Sequence, residues 1–111
     1  MNSRRKGKEG ELALVRKLKE LGYDVRRGQQ YAGANGDADV VGIDGLHIEC
    51  KYTEVGHGKT YDWLEQAECD RREGETPVVM HKKVSKECRG NKWLVTLTLD
   101  DFISIWSETE V

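Results

Sequence analysis

The sequence predicts an α/β domain, with a mixed central sheet flanked by helices in the element order αβββαββα. Three observations lead there: apolar residues recur at helical spacing early in the chain, two later segments alternate with period two, and glycine-rich or polar turns separate them. With 111 residues, 37% of them hydrophobic and 34% charged, and a single proline, there is material for one modest core. Residues 1–111 are therefore read as one domain.

Leu12, Val15, Leu18 and Leu21 recur at helical spacing and Gly22 supplies a C-cap, which predicts a helix over 8–21. A short strand is expected at 23–27, then a glycine-rich loop over 28–36. Residues 38–42 and 46–53 read as paired strands about Ile43-Asp44-Gly45. A two-residue Asp-Gly turn would put Asp39 opposite Cys50. A three-residue loop with Gly45 in the left-handed conformation puts it opposite Glu49, and the two-carboxylate chemistry argued below selects this second register.

After a loop at 54–60, residues 61–73 suit a helix whose buried side is Trp63, Leu64 and Ala67. Pro77 opens a strand at 78–81, and a turn at Arg89-Gly90-Asn91 leads to a neighbouring strand at 93–99. Asp100 is the expected N-cap of a terminal helical turn carrying Phe102, Ile103 and Trp106. Phe102, Ile105 and Trp106 could supply an interface, although filling the domain's own core is the simpler role.

No apolar run approaches the roughly 20 residues that span a bilayer, and Met1-Asn2-Ser3-Arg4-Arg5-Lys6 does not lead into the apolar stretch of a secretory signal. No membrane partner is expected, and the expected location is cytoplasmic. Cysteines at 50, 69 and 88 make neither an even disulfide set nor a CxxC pair, so reduced thiols are expected, with Cys50 and Cys69 packed inside. Net charge is −2, from 18 Lys and Arg against 20 Asp and Glu, which gives no overall basic excess for nucleic acid. Basic clusters at 4–8, 26–27 and 82–86 still offer local faces for phosphate.

The chemistry-bearing residues are Asp39, Glu49 and Lys51, with Glu11 upstream. On a strand, Glu49 and Lys51 project from one face while Ile48, Cys50 and Tyr52 project from the other. Two carboxylates beside a lysine suit a divalent cation with a polarised water, the arrangement that phosphodiester hydrolysis needs. Each residue alone fits a plainer role, Glu11 as a helix-dipole or ion-pair acid and Asp39 and Glu49 as cross-strand surface charges. Three on one face beside a glycine-rich loop are harder to explain that way.

The runs Lys6-Gly7-Lys8-Glu9-Gly10-Glu11, Leu21-Gly22-Tyr23, Gly36-Asp37-Ala38-Asp39-Val40-Val41 and Ile48-Glu49-Cys50-Lys51 together resemble the PD-(D/E)xK nuclease superfamily. Within it the likeness is greatest to archaeal-type Holliday junction resolvases and their phage relatives, and it covers residues 6 to about 79. The chain departs from the pattern at Ala38, where a proline is expected. The resemblance implies a restriction-endonuclease-like fold and Mg²⁺-dependent cleavage of branched DNA, with Mn²⁺ as a substitute. It makes Asp39, Glu49 and Glu11 the acidic metal-site residues and Lys51 the catalytic lysine, and it adds Gln66 as a polar residue from the following helix. Two symmetric nicks in a junction imply a homodimer.

Arg4, Arg5, Lys8, Arg26, Arg27 and Lys59 are the expected DNA contacts. Glycines at 28, 33 and 36 would let backbone N–H groups approach phosphate. Two rival expectations stand beside this one: a nicking or non-specific nuclease of the same fold in phage DNA processing, and a non-catalytic DNA-binding module.

Overall fold

The structure, a computed structural model, describes residues 3–29, 38–84 and 92–109, and their side chains except at 3–6 and 109. The order is α1 (Ser3–Glu20), β1 (Arg26–Arg27), β2 (Val40–Val41), β3 (Leu46–Thr53), a 3-10 turn (His57–Lys59), α2 (Thr60–Asp70), β4 (Thr76–Lys83), β5 (Leu94–Thr96) and α3 (Leu99–Thr109). The fold is α/β, and the described residues form five strands in one mixed sheet and three helices in the expected αβββαββα succession. Strands lie in the order β1-β2-β3-β4-β5. Among the described strands only β3 and β4 pair in parallel, as the helical crossover α2 between them requires. The expected turn at 89–91 and most of the glycine-rich loop lie outside the described residues.

One face of the sheet is covered by α1. Leu14, Val15 and Leu18 are buried against Val40, Ile48, Val78 and Met80. The stripe differs from the sequence expectation, because Leu12 and Leu21 stay exposed while Gly10 is buried. The cause is the contact at Gly10, where an added Cβ would run into the Tyr52 side chain. That close approach fixes which side of the helix meets β3, and Glu11 falls next to it, half-buried. Gly10→Val is expected to destabilise the domain by about 2–3 kcal/mol through overpacking, read as a lower midpoint in urea denaturation; an unchanged midpoint would mean that α1 does not lie this close to β3.

The α1 helix ends as expected. Gly22 adopts φ +100°, its N–H reaches the Lys19 carbonyl, and the Tyr23 N–H reaches that of Leu18. This is a Schellman closure, which needs a left-handed residue at that point.

On the opposite face α2 buries Leu64 and Ala67 against Val79, with Trp63 half-buried. The terminal helix departs more. Its cap is Thr98, whose hydroxyl accepts the Asp101 N–H at 3.1 Å, and Asp100 lies in the first turn rather than at the cap. Its apolar side chains do not fill the core: Leu99, Phe102, Ile103, Ile105 and Trp106 are 38–73% exposed. Cys69 is exposed, against expectation, and Cys50 is half-buried at the edge of the α1-side core. Among the described residues, no helix is long and apolar enough to cross a membrane.

Candidate functional site

The turn between β2 and β3 sets the geometry. Gly45 takes φ +86°, the Leu46 N–H closes on the Ile43 carbonyl, and Val40 pairs with Ile48. Asp39 therefore stands opposite Glu49, the register that the chemistry selected. Beyond Val40 the chain leaves regular pairing, and the Cys50 N–H is held by the Asp39 side chain, Oδ2 accepting at 2.9 Å. The acid is pinned to the strand that carries Glu49 and Lys51.

Glu49 is buried at 7% exposure, and its carboxyl shares a hydrogen bond with that of Asp39. Burial and the neighbouring Glu49 charge push Asp39 up to about 7, despite the Cys50 N–H that favours its ionised form. Burial also acts to raise Glu49, but hydrogen bonds from His47 and Asp39, with His47 and Lys51 as nearby charges, outweigh it and hold Glu49 below the usual carboxylate range. Two carboxyls forced together share a proton in this way, and the pair titrates as a unit.

His47 is the partner that sequence reasoning did not find. It is 3% exposed and donates Nε2–H to Glu49 Oε1 at 2.9 Å, while Nδ1 lies 3.6 Å from Glu75. The Glu49 hydrogen bond leads the effects that raise its pKa, against the cost of burial. The available signal was strand parity, since residues 47, 49 and 51 share a face and a histidine beside a buried acid is a natural donor.

Glu11 reaches the site from α1 and adds to the charge that raises Asp39. Its Oε1 also accepts from Arg27, with both Nε and Nη2 at 3.0 Å. Arg27, expected on DNA, is thus committed at least in part to this internal pair. Among the described residues, no three acidic, histidine or cysteine side chains are placed as a ready-made cation cage. The acids come as a tight pair, Asp39 and Glu49, with Glu11 held off by Arg27.

Lys51 lies with its Nζ 6.0 Å from the centre of the Trp63 ring, a cation–π contact. Trp63 in turn meets His57 and His81 edge-on, at 5.3 and 5.5 Å between ring centres. His57 has defined partners. Its Nε2–H donates to the Thr53 carbonyl, its Nδ1 lies 3.1 Å from His81 Nδ1, and His81 Nε2 lies 3.0 Å from the Thr96 hydroxyl. One chain of donors satisfies all three contacts when both rings are neutral: Thr96 to His81, His81 to His57, His57 to Thr53. Burial and His57 both lower the His81 pKa, in keeping with that state.

The remaining expected residues are more scattered. Gln66 is exposed on α2. Lys8 and Lys59 are exposed; Arg26 is exposed and donates to the Arg27 carbonyl. The side chains of Arg4 and Arg5, and all of Gly33, Gly36 and Asp37, lie outside the described residues. Gly28 donates its N–H to the Asp39 carbonyl, so it braces the acid's backbone rather than offering that N–H to phosphate.

Comparison with protein-family models, curated proteins and solved structures yields no match.

Proposed function

We propose that this protein is a metal-dependent DNA endonuclease of the PD-(D/E)xK type, structure-selective and resembling Holliday junction resolvases. The supporting observation is the Asp39–Glu49 pair, in which burial and then the neighbouring Glu49 charge push Asp39 up to about 7, with Lys51 on the Glu49 strand face. A half-buried Asp39 set against a buried Glu49 fits a divalent cation, which removes the repulsion. Two carboxylates with several retained waters are an ordinary Mg²⁺ donor set.

Asp39 and Glu49 would hold the Mg²⁺ or Mn²⁺, and the bound ion would supply Lewis-acid polarisation of a phosphate oxygen and an acidified water. The chain's own part is positioning. The Cys50 N–H and the His47 ring fix the two carboxyls, and Lys51 offers its ammonium to the charge that builds on the phosphate as water oxygen bonds to phosphorus and a P–O bond to sugar breaks. Glu11 adds a third acid at the margin, its charge moderated by Arg27.

The test is cleavage of a synthetic four-way junction, with linear duplex and single strand as controls, in Mg²⁺, Mn²⁺ and EDTA. Paired symmetric nicks at the junction that vanish in EDTA are the expected result. Metal-dependent cutting of every substrate keeps the nuclease and discards the junction preference. Binding without cutting in either metal points to the non-catalytic DNA-binding module.

A further inference from the structure

Among Asp39, Glu49, Glu11 and Lys51, the lysine has the longest and most flexible stem, so its ammonium needs steering. Asp39 and Glu49 are held by hydrogen bonds from the Cys50 N–H and the His47 ring. Lys51 is held differently. Among the described residues no carboxylate forms an ion pair with it, and its half-buried side chain brings the ammonium to the Trp63 ring, 6.0 Å from the centre. The difference has a chemical use. A carboxylate against the ammonium would cancel the charge that a phosphate is to meet, whereas the face of an indole attracts a cation through its quadrupole and leaves the charge intact.

Trp63 is itself bracketed. It enters from α2 beside Leu64, which is buried against Val79, so its backbone is fixed to the sheet. Two imidazoles meet the ring in T-shaped contacts, His57 at 82° and His81 at 68° between ring planes. Hydrogen bonds fix both of them: His81 is joined to Thr96 on β5 and to His57, and His57 to the carbonyl of Thr53 at the end of β3. His81 also stands in register with Lys51 on the neighbouring parallel strand. The two therefore project side by side from one face of the sheet, and Trp63 contacts both.

We propose that Trp63 is a positioning residue for the cleavage reaction: its ring face holds the Lys51 ammonium on the side of the sheet that carries Glu49, and His57 and His81 hold the ring. The role rests on the nuclease reading, in which Lys51 meets the charge that builds on the phosphate.

The test is steady-state cleavage by the full chain, using whichever of four-way junction, linear duplex or single strand the wild type cuts fastest in Mg²⁺. Folding of every variant is checked by urea denaturation. Trp63→Leu keeps an apolar side chain on α2 and removes the π face. Its kcat is expected to fall about 10-fold with KM within about twofold, the split expected of a group that acts on the transition state. Trp63→Phe restores a π face and is expected to recover most of the loss. A tetrafluorinated tryptophan installed at position 63 nearly keeps the shape of the ring while draining negative charge from its face, so it should fold as wild type and lose kcat about as Trp63→Leu does. A purely structural tryptophan would not respond to that change. Full kcat in the fluorinated protein, a rise in KM alone, or a Trp63→Phe no better than Trp63→Leu overturns the positioning role and leaves the nuclease reading standing. A wild type that cuts none of the three substrates in Mg²⁺ or Mn²⁺ removes the nuclease reading, and the positioning role with it.

Discussion

Glu49→Ala is expected to abolish metal-dependent cleavage, by at least ~10³-fold, or about 4 kcal/mol of lost transition-state stabilisation. Glu49 is the buried member of the pair, opposite Asp39 and two residues from Lys51 on one strand. Under the proposed function its removal would leave one carboxylate to hold the ion. It also leaves His47 buried without its acceptor, a structural cost of about 1–3 kcal/mol. Glu49→Gln separates the two effects. The amide oxygen can still accept from His47, so folding should stay near wild type while cleavage falls as steeply as in the alanine variant. The checks are single-turnover cleavage of the preferred substrate in Mg²⁺ and a urea denaturation curve for each protein. Full cleavage by either variant would sink the nuclease assignment.

Much of the site was legible because strand parity and one turn determine it. Once Gly45 is placed in the left-handed conformation, Asp39 and Glu49 must stand opposite each other, and Lys51 must share the Glu49 face. Glycine at that point and a charged residue at every second position of a strand are both visible in sequence. What was not visible depends on contacts between distant segments. His81 meets His57 only because β4 lies parallel to β3, with His81 in register with Lys51. Arg27 reaches Glu11 only because α1 packs across the sheet, and that docking angle follows from the close approach at Gly10. The exposure of the α3 stripe was not legible for a different reason. Periodicity reports that a helix has an apolar side, and says nothing of whether the surface that covers it belongs to the same chain.

Asp39→Asn should stabilise the metal-free protein at alkaline pH while removing its response to metal. In the folded chain Asp39 titrates at about 7 against an ordinary value of 3.8, so between those two pH values the unfolded chain has released a proton that the folded chain retains. Stability in EDTA therefore falls as pH rises from about 4 to about 7, by at most about 1.4 kcal/mol per unit, and then levels off for this group. His47, with its raised pKa, adds stability that is present below 6.5 and lost as pH rises through its folded value, in the same direction. Glu49, with its lowered pKa, acts oppositely, adding stability above 4.5 that is lost on acidification. Asparagine at 39 removes the first of these and leaves the His47 contribution, and its side-chain oxygen can still accept from the Cys50 N–H. In EDTA at pH 8 the variant should be more stable than wild type, with the difference gone near pH 4. Saturating Mg²⁺ should raise the wild-type midpoint by linkage and leave that of the variant where it was. Urea midpoints at pH 4, 6 and 8, with and without Mg²⁺, measure all of this. Parallel pH profiles for the two proteins would show that Asp39 is not strained by its neighbour, and an equal Mg²⁺ gain in both would place the ion elsewhere. The expected pattern is that of a carboxylate kept at a cost to the fold because an ion relieves it.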